Sequence, residues 1–427
     1  MTREFLVVNM RMRFWLLVWC LFVIGGVRCV AGDSLQWRHW GGGVAVLPGR
    51  AIVMDSYQGM WQKGRNNLTA ALEVAYTPLP SDSDAFARDF AYPTIGAGVR
   101  YHFDHGVTMH KAQDPTWGMA QEADYDSRMG NVVSAYGTFT RPFFRSRHWM
   151  ADYSISFGTS YSRRKYNKEN NVDNELIGSR WLIYFGTGLH LTWRMAENWG
   201  LRAGLEYYHH SNGALNRPNK GANFVAPSLG VVYMPYYKEV VDAKSWAPRQ
   251  PFNPYWYLNL TASVGAKALE EDWKKTQMQT PPGDPNYQTE DFKVYTTYAL
   301  SADVMCRYQR RWASGVGVDA FYSTYTSHIR ELDQAAGYHD KQVPWSVGIS
   351  GKHEVFWHQL SLSMALGVYV YRHVGHTAKA LEKPYYERIG LHYTFRRLGG
   401  LQVGANVKAH KVKADYTEVS LSWPFRL

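Results

Sequence analysis

Apolar and polar residues alternate with period two along most of the chain after about residue 38. Successive side chains of a strand point to opposite faces, so this pattern predicts strands and not helices. The first set spans 38–48, 67–78, 93–104, 129–142, 147–162, 180–194, 200–211 and 222–235. The second spans 254–265, 292–306, 313–326, 343–354, 359–373, 384–396, 401–412 and 416–426. Long polar connections (49–66, 105–128, 163–179, 266–291, 327–342) alternate with short ones such as 195–198 and 397–400. Long loops on one side, short turns on the other and an even strand number are the pattern of outer-membrane barrels. The connection 79–92 is long for a turn. The expected fold is all-β: a transmembrane, antiparallel outer-membrane β-barrel of about 16 strands, with two tandem eight-stranded barrels as the alternative.

The two halves are weakly alike. Gly200-Leu201-Arg202-Ala203-Gly204 aligns with Gly400-Leu401-Gln402-Val403-Gly404, which places His210 on His410. A duplicated unit follows from this repeat, and with it a division into 32–235, a Pro-containing linker 236–253, and 254–427. The chain ends in Val419-Ser420-Leu421-Ser422-Trp423-Pro424-Phe425-Arg426-Leu427, an aromatic-rich stretch suited to a closing strand.

Composition sharpens this picture. Arg11 and Arg13 precede an apolar run from Phe14 to Ile24, and small residues follow at Ala31-Gly32, so 1–31 reads as a signal peptide. Two of the 3 cysteines fall in that segment and Cys306 remains, so no intramolecular disulfide is expected in the mature chain. Aromatic residues make up 15% of the chain, with 30 Tyr and 17 Trp. Such rings favour boundaries that are apolar on one side and wet on the other, and form the girdles of membrane barrels. The formal charge of +11 suits an acidic partner. In an exported chain without an Arg-rich motif, lipopolysaccharide phosphates are a better candidate than nucleic acid.

Candidate chemistry lies at the end of one strand. Counting from Leu201, Ala203, Leu205 and Tyr207 puts His209 and Ser211 on the apolar face, and Asn223 lies on the apolar face of the next strand with Val225 and Leu229. Serine needs a base to become a nucleophile, and histidine is the usual one at neutral pH. Residues two apart on a strand share a face, so His209 can approach Ser211, and Asn223 is placed to orient the imidazole. Spacing alone is also compatible with polar residues capping a loop. The second half has Ala409 and Lys411 where the first has His209 and Ser211, so any site is in the first half. Tyr207 and Tyr208 read as girdle and lumen residues. His373, His376 and Glu382 suggest a metal site without a third fixed ligand, and a solvated loop is the simpler account. Arg163-Arg164-Lys165 falls in a long loop where it can meet phosphates or only water. Arg310-Arg311 falls on a short turn.

His209-His210-Ser211-Asn212, then Pro218-Asn219-Lys220-Gly221 with an Asn two beyond that glycine, resembles the PagL-type lipid A 3-O-deacylases. The motif covers about fifteen residues, and the architectural likeness runs over 38–235. The resemblance implies an outer-membrane enzyme that removes an ester-linked acyl chain from lipid A of lipopolysaccharide. It implies His209 and Ser211 as base and nucleophile, and Asn212 with the Gly213 backbone as the oxyanion hole. The family's acidic third member falls on Asn223, where this chain departs: an amide orients an imidazole but stabilises the imidazolium less than a carboxylate. Neither metal nor cofactor is implied. A non-catalytic channel or transporter, and a structural barrel inactive because of Asn223, are the alternatives.

Overall fold

The computed structural model describes residues 36–114, 122–242 and 251–427. The segment read as a signal peptide lies outside the described residues. The sixteen long strands predicted from alternation are present, as two closed barrels of eight antiparallel strands each. The first comprises β1 (Trp40–Ala51), β2 (Asn66–Tyr76), β3 (Thr94–Phe103), β4 (Val132–Arg145), β5 (Trp149–Ser162), β6 (Trp181–Arg194), β7 (Trp199–Ser211) and β8 (Ala222–Tyr233). The second comprises β9 (Tyr255–Ala268), β10 (Val294–Gln309), β11 (Trp312–Ser323), β12 (Gln342–Trp357), β13 (Leu360–Val374), β14 (Tyr385–Phe395), β15 (Leu401–His410) and β16 (Lys413–Arg426).

The expectation of one barrel of about 16 strands is therefore corrected to its alternative. β1 pairs on one edge with β2 and on the other with β8, for example Val44 with Leu72 and with Val231. β9 likewise pairs with both β10 and β16. With every edge bonded within its own set of eight, no edge remains to merge the sets. The chain divides into two compact units, one of 1–212 with 218–250, the other of 213–217 with 251–427.

In the first barrel the outward faces carry Val44, Val46, Leu72, Val74, Leu189, Leu205 and Leu229, all exposed. Trp149 against Trp193 and Trp199 against Tyr233 ring the rim with the short turns, and Tyr161 against Trp181 lies at the other. An apolar belt between aromatic girdles is what hydrocarbon and its two interfaces select on a barrel. Among the described residues no helix is long and apolar enough to cross a membrane.

Inside, the first barrel is filled and polar. Arg100 pairs with Glu206 at 2.7 Å, and His190 lies between Asp152 and Glu206. Nearer the long-loop rim a chain of hydrogen bonds runs from Asn67 through Tyr208, Thr69, His102, Ser134 and Ser160 to His210. Closing that rim, Asp104 follows β3 and accepts from Asn67 Nδ2 at 3.1 Å. Among the described residues it forms no ion pair, and burial pushes its carboxyl up to about 7 although the Asn67 bond pulls the other way. The second lumen is also filled: Asp319 accepts from Tyr386, Ser350 and Lys352, and Arg388 joins Asp319 to Glu418. Arg100 with Glu206 in the first barrel, and Arg388 with Asp319 and Glu418 in the second, are thus buried charges that are paired and hydrogen-bonded, as a low-dielectric interior favours, whereas Asp104 is left without an ion pair among the described residues.

Candidate active site

The site is assembled where β7 and β8 reach the long-loop rim of the first barrel. Antiparallel register sets His209 directly opposite Asn223, and one strand over on β6 sets Phe185 opposite His209 and Ile183 opposite Ser211. All of these lie on the outward face, as alternation predicted. Ser211 and Asn223 are nonetheless only 7% and 5% exposed. The connection between β5 and β6 is bonded to the residues just before β8. Glu175 and Leu176 accept from the backbone N–H groups of Lys220 (3.1 Å) and Gly221 (2.9 Å), so this loop is laced to the entry of β8.

That lacing is reinforced by charge. Glu175 accepts from Tyr57 OH at 2.6 Å and pairs with Lys111 at 2.7 Å. Lys220 pairs with Asp55 at 2.6 Å and lies 4.8 Å from the Tyr57 ring. Tyr57 sits on α1 (Ser56–Trp61), and burial followed by the neighbouring Glu175 holds its phenol well above the usual range. Three connections (β1–β2, β3–β4 and β5–β6) and the residues entering β8 are therefore bonded into one network.

His209 Nδ1 lies 2.7 Å from Asn223 Oδ1. An amide oxygen only accepts, so the proton is on Nδ1 and the lone pair on Nε2. This is the tautomer a general base needs. Tyr207 OH donates to the same Oδ1 at 2.6 Å, and Asn223 Nδ2 reaches the Gly221 carbonyl at 3.5 Å. Gly221 has φ +77°, and a Cβ there would meet His209 Cε1 at 2.6 Å. Both the positive φ and the closeness of the ring call for glycine.

The sequence-stated residues are thus brought together unevenly. His209 and Asn223 are bonded. Ser211 shares their face two residues from His209, roughly 7 Å along the strand, and among the described residues no hydrogen bond joins it to His209. Catalytic bonds of this kind are often long without substrate. The backbone N–H of Asn212 donates to Asn219 Oδ1 at 2.9 Å. Gly213, with φ +61°, falls in the 213–217 segment that groups with the second unit. Tyr207 was expected as a girdle residue and instead bonds Asn223. Asn219 and Gly221 stood in the motif, but their contacts to Asn212 and His209 were not legible from it.

Elsewhere, His376 stacks on Tyr338 at 3.6 Å, whereas Glu382 pairs with Lys267 at 2.9 Å, so the supposed metal set does not converge. Glu382, His410 and Asp415 do cluster, yet Lys267 and Lys408 already neutralise them.

Fold and site together define the class: an antiparallel, outer-membrane-type β-barrel with a polar constellation on its outward face at one rim. Residues 95–232 match the family model of lipid A 3-O-deacylase (PagL), and residues 256–427 match that of the acyloxyacyl hydrolase C-terminal domain. The chain belongs to the PagL family, its first barrel through the deacylase model and its second through the C-terminal-domain model. No curated protein matches it. Among solved structures it is similar to the outer membrane enzyme PagL at 13% identity, over 44% of this chain and 97% of that one, with TM-score 0.27. It is also similar to CdiB from Acinetobacter baumannii (9%, 91% and 60%, TM-score 0.17) and to the FrpB iron transporter from Neisseria meningitidis (9%, 88% and 67%, TM-score 0.22). At such scores these three likenesses carry no functional information.

Proposed function

We propose that this protein is an outer-membrane serine esterase that removes an ester-linked acyl chain from lipid A of lipopolysaccharide, lying in the outer leaflet. The observation that carries the reading is the His209–Asn223 bond on the outward face, which leaves Nε2 as a base on the side of the barrel that lipid would cover. His209 Nε2 takes the proton of Ser211 Oγ as that oxygen attacks the ester carbonyl. The tetrahedral oxyanion is stabilised by the Asn212 side chain, with the Gly213 backbone as a further donor. Collapse breaks the bond to the sugar oxygen, which leaves with the proton from His209, and Ser211 carries the acyl group. Water, deprotonated by His209, then releases the fatty acid and restores Ser211. Asn223 orients the imidazole throughout.

The division into a leader 1–31, a catalytic unit 32–235, a linker 236–253 and a non-catalytic unit 254–427 belongs to this proposal, as does residence in the bacterial outer membrane. The filled lumen of the first barrel argues against a passive channel there. Mass spectrometry of lipid A from cells expressing the wild type, Ser211→Ala or His209→Ala tests the reading. Wild type is expected to yield lipid A short of one acyl chain, and both variants the intact species. Identical spectra from all three, with each protein inserted, would end it.

A further inference from the structure

The triad position occupied by Asn223 raises a problem that a carboxylate would not. A carboxylate presents the same oxygen chemistry whichever way it turns. An amide does not: rotated by half a turn, Asn223 would offer Nδ2–H to His209 Nδ1. The imidazole would then have to accept at Nδ1 and carry its proton on Nε2, with no lone pair for the Ser211 proton. Something must hold the amide one way round.

We infer that Tyr207 is a positioning residue that fixes the Asn223 amide, and through it the His209 tautomer; this rests on the functional reading above. Tyr207 lies on the outward face of β7 two residues before His209, opposite Val225 on β8 and Thr187 on β6. A tyrosine serving only as a girdle residue turns its hydroxyl to water or headgroups. This one turns it sideways onto Asn223 Oδ1 at 2.6 Å, its one hydrogen bond among the described residues. The amide oxygen therefore accepts from two donors, the phenol and the imidazole, while Nδ2 faces the Gly221 carbonyl at 3.5 Å. The Gly221 bond is at the long limit of a hydrogen bond and holds weakly alone. Turning the amide would set Oδ1 against the Gly221 carbonyl oxygen and take away the acceptor of the phenol proton. Both penalties favour the productive orientation, and Tyr207 supplies the shorter of the two contacts.

The test is Tyr207→Phe made in two backgrounds, the natural Asn223 and Asn223→Asp, with purified, refolded protein and lipid A in detergent micelles. With Asn223, Tyr207→Phe is expected to lower kcat about tenfold, the scale of one hydrogen bond lost from a two-state orientation, with KM little changed. With Asn223→Asp the same substitution is expected to cost less than about threefold, because a carboxylate has no wrong way round. Histidine-labelled protein gives a second readout, with the His209 nitrogens assigned by their loss in His209→Ala. Protonation at Nδ1 is expected for the wild type and a new Nε2-protonated population for Tyr207→Phe. An equal loss of kcat in both backgrounds, or an unchanged tautomer, would overturn the assignment of Tyr207 while leaving Ser211 chemistry standing. Full activity in Ser211→Ala would overturn both.

Discussion

Asn223 carries the point at which this chain parts from the deacylase motif, and its geometry makes graded expectations possible. In the proposed mechanism it orients His209 without charge, so Asn223→Ala is expected to lower kcat by about 10- to 100-fold, less than the loss in Ser211→Ala or His209→Ala, which would remove members of a cooperative unit. Asn223→Asp or Asn223→Glu is expected to sustain or raise the rate at neutral pH, with Glu favoured for its reach. The counterweight is burial, since this position is 5% exposed and disfavours a charged group. Steady-state kinetics on the three variants checks the order; a wild-type rate in Asn223→Ala would remove Asn223 from the site. At this scale the sequence was informative for His209, Ser211 and Asn223, because period two alone puts them on one face. It was silent on Tyr207, since alternation gives the face of a side chain and not the direction of its hydroxyl. The contact of Gly221 with the His209 ring was equally hidden, because it follows from a positive φ at a turn and from cross-strand packing.

Strands were the legible elements, since burial on one face of a barrel enforces alternation at every step. The short helices were not. α1 is under two turns long, too short for a 3.6-residue period to emerge, and lies within a connection that reads as a polar loop. The lacing of the β5–β6 connection onto β8 was invisible for a related reason: it uses backbone carbonyls of Glu175 and Leu176, which carry no residue signature. The end of β3 offers a test of this rim. Asp104 has a folded-state pKa of about 7 against an ordinary 3.8. A raised acid pKa means that the folded form keeps a proton the unfolded chain has lost, so stability is full below about 4 and falls as pH rises to about 7. A shift of roughly three units corresponds to at most ~4 kcal/mol. Asp104→Asn should remove that loss, so its urea midpoint in lipid vesicles is expected to exceed the wild type's at pH 8 and to approach it at pH 4. A constant difference across that range would contradict the assignment.

Two closed barrels, and not one, is the feature of the whole molecule that alternation left open. Period two says which face a residue occupies, and nothing in it says whether β1 will close on β8 or on a strand of the second half. Closure is decided by edge pairing, here Val44 with Val231 and Val264 with Val419. The repeat did signal that only the first unit holds the His/Ser pair. In the second, His410 Nδ1 bonds the Tyr385 carbonyl at 2.8 Å and Nε2 lies 3.3 Å from Asp415, within ion pairs of Lys267 and Lys408. His410→Ala is therefore expected to leave deacylation within about twofold of wild type in protein that inserts normally, measured by fatty-acid release. A large loss would place chemistry in the second unit. The central claim, that Ser211 is made nucleophilic by His209, is tested most directly by peptide mass spectrometry after treatment with a long-chain sulfonyl fluoride. The account predicts a single sulfonyl adduct on Ser211 in the wild type, formed far more slowly in His209→Ala; an adduct elsewhere with parallel loss of activity, or equal labelling of Ser211 in His209→Ala, would contradict it.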